Sequence, residues 1–139
     1  MASPCIATGY ADPDAAEDAF YRAFREGDIE TMRAVWSPSP DVVCVHPAHT
    51  TLTGYAEVIA SWESILTTTE GFDIRFRCRQ QLGDGPLVIH VGFEEITSAD
   101  GDRVTVPATN AYRRTTDGWQ LCLHHASPVQ VTAEAGPLH

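Results

Sequence analysis

Positive charge is scarce in this sequence. Nine basic residues stand against nineteen acidic ones, which gives a formal net charge of −10 at pH 7. Proteins that bind nucleic acid need arginine and lysine contacts to phosphate groups, and proteins that dock on anionic lipid need similar basic clusters. We therefore expect neither a nucleic-acid partner nor a membrane partner, and we interpret the acidity as a contribution to solubility.

Long apolar runs are missing as well. No stretch approaches the ~20 consecutive apolar residues that a membrane-spanning helix needs. Residues 1–12 contain neither a basic segment nor a long apolar one, so they do not match a signal peptide. These absences favour a cytoplasmic location.

Cysteine is infrequent, and its spacing does not indicate a metal or disulfide framework. The four cysteines are Cys5, Cys44, Cys78 and Cys122, and no two of them form a CxxC pair. Three of them fall in apolar strand patterns, which favours free buried thiols in a reducing compartment. The chain also has no glycine-rich phosphate loop, Walker motif or nucleophile elbow, and we predict no cofactor.

The length and composition that remain are those of an ordinary globular domain. The chain has 139 residues, of which 43% are hydrophobic and 20% are charged, and this size suits a single domain. We place that domain at residues 13–128. A flexible N-terminus at 1–12 precedes it, and a loose C-terminal tail at 129–139, which has no periodic pattern, follows it.

Two helices are predicted at the start of the domain. Asp12 is a suitable N-cap, Pro13 suits the first helical position, and Gly27 ends the first helix. Asp28 caps a short second helix. The prolines within 37–40 end it, because proline lacks the backbone N–H and restricts the residue before it.

A third helix is predicted after a short extended region. A strand at 41–46 and an extended piece at 50–53 come first, and the helix then runs over about 55–67. Its apolar residues recur at helical spacing, with Trp62 at the centre of the stripe.

The region after Gly71 has the alternation of β-strands. The spacing of apolar residues changes there from about 3.6 to about 2, the period of a half-buried strand. Turn sequences at 83–86, 99–102 and 116–118 divide the region into four long strands. The predicted inward-facing residues, strand by strand, are Phe72, Ile74, Phe76 and Cys78; Leu87, Ile89, Val91 and Phe93; Val104, Val106, Ala108, Asn110 and Tyr112; and Trp119, Leu121, Leu123, His125 and Ser127.

Helices followed by a meander of long strands predict an α+β fold. Three N-terminal helices would pack on a curved antiparallel sheet, because a strongly twisted sheet curls and leaves a concave side for helices to fill. We expect a small pocket at the open end of that concave side.

Several segments of the chain are similar to one known family. They are the sequences DVVCVHP at 41–47, TNAYRR at 109–114, DGW at 117–119 and HHAS at 124–127. With the order and length of the predicted elements over 14–128, they resemble the nuclear transport factor 2-like superfamily, in particular its SnoaL-like branch. The last two segments also resemble the kinase association domains of that superfamily. The resemblance implies a cone-shaped α+β barrel, a pocket at its wide end and a homodimer packed through the sheet.

The resemblance does not select one function. The superfamily includes isomerases, dehydratases, cyclases, hydrolases and non-catalytic modules, and a shared fold does not decide chemistry. Its steroid-isomerase branch uses an aspartate base with a tyrosine and a protonated aspartate, and Tyr112 alone does not reproduce that set. We therefore favour a domain that binds a small organic molecule. The alternatives are an isomerase, dehydratase or hydrolase and a non-catalytic dimerisation or assembly module.

His125 is the candidate general base for the enzyme hypothesis. It falls in the inward set of the last strand, and an imidazole can accept and donate a proton near working pH. The alternative is a core histidine held by a backbone or hydroxyl partner. His124 should point to the opposite face, toward solvent or a dimer partner. A bulge in the last strand would exchange the two histidines.

Inward polar and aromatic residues form the predicted ligand site. An inward Asn110 needs several hydrogen-bond partners, which a ligand or water in a pocket would supply, and an internal network is the alternative. Large aromatic faces either fill a core or line pockets for flat ligands. The predicted ligand-binding residues are Trp36, His46, Trp62, Phe93, Asn110, Tyr112 and His125.

Two other patterns are not expected to form sites. His46 and His49 have His-x-x-His spacing, but they lie on a strand-to-turn segment without a convincing third ligand, and we predict no metal. Glu94 and Glu95 are neighbours in one strand, so they should point to opposite faces and not act together.

The outer face of the sheet is the predicted homodimer interface. The sheet is too broad for three helices to cover, and Cys122 and His124 share this face by strand parity. The predicted partners are therefore a second copy of the chain and a small organic ligand.

Overall fold

A computed structural model describes residues 9–68 and 71–128, and within them the chain forms three helices and six strands. The α+β class is therefore confirmed. The helices are α1 (Pro13–Glu26), α2 (Ile29–Val35) and α3 (Tyr55–Thr68). The strands are β1 (Val43–Val45), β2 (Leu52–Thr53), β3 (Asp73–Leu82), β4 (Leu87–Thr97), β5 (Arg103–Thr115) and β6 (Gly118–Ala126).

The two predicted terminal segments lie mostly outside the described residues. This holds for residues 1–8, which include Cys5, and for the tail at 129–139. Just before α1, Tyr10 exchanges two backbone hydrogen bonds with Trp119, at 3.0 and 2.8 Å. The chain is thereby joined to the start of β6 before the first helix begins.

The predicted helix caps are confirmed. Asp12 accepts a hydrogen bond from the Ala15 backbone N–H at 2.7 Å, and Asp28 accepts one from the Thr31 N–H at 3.1 Å. Gly27 ends α1 with a φ of 68°, in the left-handed region that favours glycine. These local signals fix where α1 and α2 begin, and so they fix which of their side chains face the sheet.

The six strands form one open, mixed sheet in the order β2-β1-β6-β5-β4-β3. The expectation of a purely antiparallel sheet is wrong for one pair, because β1 runs parallel to β6. About half of the chain separates these two strands, and such a long connection permits parallel pairing. Strands β2 and β3 are edges, so the sheet is not the closed barrel that the resemblance implied. Only α1 and α2 precede all the strands, since α3 follows β2.

Strand register decides which side chains enter the interior, and the inward set predicted for β4 is wrong. Val88, His90 and Glu94 are buried there, whereas Leu87 is 45% exposed and Phe93 lies on the other face. Apolar residues occur on both faces of β4, so alternation alone could not identify the inner one. The inner face is the one whose polar residues have partners on α1.

A bulge in β6 also exchanges the two histidines. Leu123 pairs with Ala111, but Leu121 pairs with Tyr112, so Cys122 is an extra residue in the ladder. Beyond this bulge His124 faces the interior and is 1% exposed. The expectation that His125 points inward is therefore wrong.

The core between helices and sheet is aromatic. Phe20 of α1 packs edge-on against Trp62 of α3, with ring centroids 5.3 Å apart, and contacts Trp36 at 6.4 Å. All three side chains are fully buried. Trp62 also contacts Phe24 at 4.9 Å, so it joins α3 to α1.

We expect Trp62→Ala to lower the free energy of unfolding by about 3–5 kcal/mol, because it removes this central side chain and leaves a cavity. Urea unfolding would measure the loss. Leu82→Ala, at a position that is 48% exposed, is the control and should change stability by less than about 0.5 kcal/mol. A loss below about 1 kcal/mol for Trp62→Ala would contradict a packed position.

Candidate functional site

Four polar side chains meet beneath α1 on the inner face of the sheet. We call Tyr21, Glu94, Asn110 and His124 the interior polar cluster; none of them is more than 3% exposed. The Tyr21 hydroxyl donates to Glu94 Oε2 at 2.8 Å and accepts a hydrogen bond from Asn110 Nδ2 at 2.9 Å. His124 Nδ1 lies 2.6 Å from Asn110 Oδ1, so this nitrogen carries the proton and donates.

Burial shifts the pKa values of the two ionisable groups of this cluster, Glu94 and His124, in opposite directions. It raises the pKa of Glu94 to about 7, against the lowering effect of the Tyr21 hydrogen bond. Burial, together with the neighbouring His46 and His125, lowers the pKa of His124 to about 3. His124 Nε2 and Glu94 Oε2 are 3.7 Å apart. At neutral pH this contact joins a neutral imidazole to a half-protonated acid and is not a salt bridge.

The cluster can hold and release a proton near neutral pH. The pKa of Glu94 lies where a general acid or base is most effective. Burial raises the pKa of Tyr21 well above its usual value, so its hydroxyl remains a donor. The proton-exchanging group of this interior is therefore the carboxyl of Glu94.

A second polar cluster lies one helical turn away, around His90. Its Nδ1 is 2.8 Å from Glu17 Oε2 and its Nε2 is 3.0 Å from Gln81 Oε1. The Tyr112 hydroxyl also donates to Glu17, at 3.3 Å. The hydrogen bond to Glu17 raises the pKa of His90, with burial acting in the opposite sense. An imidazolium donates from both ring nitrogens, which suits these two oxygen acceptors.

Asp14 extends this second cluster into a group with the composition of a metal site. Donor atoms of Asp14, Glu17 and His90 lie within 4.8 Å of one another. Both nitrogens of His90 are already within hydrogen-bond distance of Glu17 and Gln81. A metal ligated by His90 would have to displace one of these bonds, so the geometry favours a hydrogen-bonded cluster.

His46 is part of a third group, against α3. Its Nε2 donates to Ser61 Oγ at 2.9 Å, since the Ser61 hydroxyl itself donates to the Val58 carbonyl at 2.6 Å. The imidazole packs on Trp62, with ring centroids 4.8 Å apart, and burial lowers its pKa to about 4. The exposed His49 ring is 6.4 Å away. His46 is thus an uncharged imidazole that packs against the aromatic core.

A pocket of about 470 Å³ opens between α1 and the edge strand β3. We call it the α1–β3 pocket. Its floor contains the rings of Tyr21 and Phe76, which stack with centroids 5.3 Å apart and planes 8° from parallel. Tyr21 belongs both to this floor and to the interior polar cluster. The charged residues that line the pocket are Glu17, Asp18, Arg22, Arg25, Arg75 and Arg77.

The seven predicted ligand-binding residues do not converge on this pocket. Asn110 lies in the interior polar cluster, and Tyr112 lies in the cluster around His90. Phe93 and the exposed His125 lie on the outer face, where His125 lines a depression of about 200 Å³. The residues buried in or beside the aromatic core are Trp36, Trp62 and His46.

Sequence reasoning missed the residues around which the site is built. Glu17 and Tyr21 are polar side chains four residues apart on α1, on the face that packs against the sheet. That spacing was a usable signal, because polar residues beside an apolar stripe need internal partners. The inward positions of His90 and Glu94 had no such signal, since they depended on the unpredicted register of β4.

No helix among the described residues combines the length and the apolar character needed to cross a membrane.

Among the solved structures that are similar to this chain are two bacterial proteins. A proposed calcium/calmodulin-dependent protein kinase type II association domain from Thiobacillus denitrificans is 38% identical, with a TM-score of 0.82 over 88% of this chain and 98% of that one. A proposed dehydratase of the NTF2-like family from Streptomyces avermitilis is 37% identical, with a TM-score of 0.72 over 84% and 92% of the two chains.

Sequence comparison adds a plant relative and a family. F-box protein SKIP8 of Arabidopsis thaliana is 25% identical over 122 residues, which are 86% of this chain and 51% of the plant protein. The chain thus spans about half the length of that relative. The family model of the SnoaL-like domain matches residues 14–131. The chain therefore belongs to the SnoaL-like domain family.

Proposed function

We propose that the protein binds a small, partly apolar organic molecule in the α1–β3 pocket. The observation that carries this proposal is the stacked Tyr21–Phe76 floor beneath a charged rim. The volume of about 470 Å³ falls within the roughly 300–1,000 Å³ of small-molecule sites, which combine apolar surface with a few polar groups.

The floor of the pocket is held in place from below. The Tyr21 hydroxyl bonds to both Glu94 and Asn110, and these two bonds fix the orientation of its ring. Tyr21 stacks in turn on the half-buried ring of Phe76, so a flat ligand group that packs on Phe76 meets a surface that is already ordered. Preorganisation of this kind reduces the entropy lost on binding.

A second candidate function is acid–base catalysis of the dehydratase or isomerase type. It is favoured by the near-neutral pKa of Glu94 and by its hydrogen bond to Tyr21, which reaches the pocket floor. The similar Streptomyces avermitilis protein is a proposed dehydratase. In this proposal Glu94 takes the general acid–base role that the sequence assigned to His125, and the Tyr21 hydroxyl passes the proton between Glu94 and the bound molecule.

We also propose a homodimer formed through the outer face of the sheet. The described helices pack on the opposite face, and the outer face is apolar along its centre. Burial of apolar surface is the main favourable term in such association. The half-buried apolar residues that support this proposal are Val43, Val45, Ile89, Val91, Phe93 and Leu123.

Binding can be tested with benzamide, a flat and neutral probe, by following backbone amide NMR shifts. We expect saturable shifts on α1 and β3, and we expect Phe76→Ala to weaken binding about threefold to tenfold through loss of aromatic stacking. Phe93→Ala, on the outer face, is the matched control and should leave the affinity unchanged. Saturable shifts that cluster elsewhere, or an unchanged affinity in Phe76→Ala, would contradict the site.

The pKa of Glu94 makes a specific prediction for stability against pH. The folded protein holds the Glu94 proton up to about pH 7, whereas the unfolded chain releases it near pH 4.5. Glu94 therefore contributes a stability that is full below about pH 4.5 and is lost as pH rises to about 7. Relative to Glu94→Gln, the wild type should lose on the order of 2–3 kcal/mol across this window.

Urea unfolding at a series of pH values would measure that difference. The buried histidines His46 and His124 have lowered pKa values and act in the opposite sense, but they are present in both proteins and cancel. Glu95→Gln, at the next position and on the other face, should follow the wild type. A pH profile of Glu94→Gln parallel to the wild type would refute the acid–base candidate.

Light scattering would test the dimer. We expect twice the 15.2 kDa mass of one chain at micromolar concentration, and a single-chain mass after Phe93→Asp, because a buried unpaired charge opposes association. Val104→Asp introduces an aspartate at a position that is 38% exposed and outside that face, and this variant should remain dimeric. A wild-type mass of one chain would rule out the homodimer.

A further inference from the structure

We infer that the α1–β3 pocket selects molecules that carry a carboxylate, and that Arg22 is the residue that pairs with it. The inference rests on the proposed binding function and adds the chemical class of the ligand.

Positive charge is concentrated at this one place in an otherwise acidic chain. Four arginines line the pocket together with two carboxylates, Glu17 and Asp18. The whole chain has nine basic residues against nineteen acidic ones. Nearly half of its basic residues thus surround one pocket, and an arginine among them that lacks an acidic partner would favour an anionic ligand.

Three of the four arginines already have partners. Arg75 pairs with Asp73 at 3.1 Å, and Arg77 pairs with Glu95 at 2.9 Å. Arg25 donates to the carbonyl oxygen of Ile74, at 3.1 Å, and so links α1 to the edge strand. These arginines shape the rim of the pocket, and most of their charge is balanced locally.

Arg22 differs from the other three. Within residues 9–68 and 71–128 it forms no ion pair and no side-chain hydrogen bond, and Asp18, four residues earlier on α1, lies beyond ion-pair distance. Arg22 is exposed at the pocket and keeps its guanidinium donors available. Glu17 does not compete for it, because that carboxylate is engaged with His90 and Tyr112.

The geometry of an arginine side chain suits a carboxylate. The planar guanidinium presents parallel N–H donors that match the two oxygens of a carboxylate, and such charge-assisted pairs are about twice as strong as neutral hydrogen bonds. The half-buried ring of Phe76, which stacks on Tyr21, would contact the flat or apolar part of the same molecule. An aromatic or short-chain monocarboxylate satisfies both features.

Benzoate and benzamide form a matched pair of probes, because they share ring and size and differ in charge. We expect NMR titration of the full chain at neutral pH and low salt to show benzoate binding about tenfold more tightly than benzamide. Arg22→Gln should remove that preference and leave the benzamide affinity unchanged. Arg79→Gln alters an exposed β3 arginine outside the pocket and should keep the preference.

The possible results separate this inference from the proposed function. If benzamide binds in the pocket and benzoate binds no more tightly, carboxylate selection is overturned and the binding function stands. If neither probe produces saturable shifts on α1 and β3, the binding function itself fails. If benzoate is preferred equally by the wild type and Arg22→Gln, the assignment of Arg22 is overturned.

Discussion

The burial of the Glu94 carboxyl group beneath α1 is the constraint on which the interior depends. A carboxyl group removed from water is costly unless it is protonated or hydrogen-bonded. Glu94 is 3% exposed and accepts a hydrogen bond from the Tyr21 hydroxyl, whose oxygen in turn accepts one from Asn110. These contacts set α1 against β4 and β5 in one register. A shift of one residue in any of the three elements would leave a buried polar group without its partner.

The same requirement couples α1 to the sheet at a second point. Glu17, one turn before Tyr21, bonds to His90 of β4, and His90 bonds to Gln81 of β3. The helix is therefore hydrogen-bonded to the sheet at two places along its length, and the second set of hydrogen bonds includes the edge strand β3. The α1–β3 pocket lies between these polar clusters and the solvent. The hydrogen bonds of both clusters hold α1 at a fixed distance from the sheet, and so they fix the width of the pocket.

The helices and the positions of the long strands along the chain could be predicted because their signals are local. Caps such as Asp12 and Gly27, and the change of period after Gly71, depend on a few neighbouring residues. The face of the sheet to which each side chain points is harder to predict. It depends on which of the two alternating sets of side chains has hydrogen-bonding or packing partners on the helices. In β4 the more apolar set, including Phe93, faces outward, and the set with Glu94 faces inward. The pocket could not be predicted, because it depends on how α1 lies against the β3 edge.

The sequence allowed a bulge in β6 as an alternative, but it did not predict that the bulge forms. Cys122 has no turn residue or glycine beside it to mark an insertion in the ladder, and its position follows only from the pairing with β5. The bulge puts Leu121 and His124 on one face, so a strand that begins in the aromatic core ends in the interior polar cluster. A bulge near a polar interior commonly redirects one side chain in this way.

The opposite pKa shifts of Glu94 and His124 follow from one cause and have one chemical result. Burial disfavours the charged form of each group, so it raises the pKa of Glu94 and lowers the pKa of His124. Below about pH 7 the interior is therefore uncharged, and its exchangeable proton is held by the carboxyl group of Glu94, although a histidine would ordinarily be the first candidate. In the proposed catalytic role, a proton would move between Glu94 and Tyr21 along their hydrogen bond of 2.8 Å, because Tyr21 belongs both to the interior polar cluster and to the lining of the α1–β3 pocket.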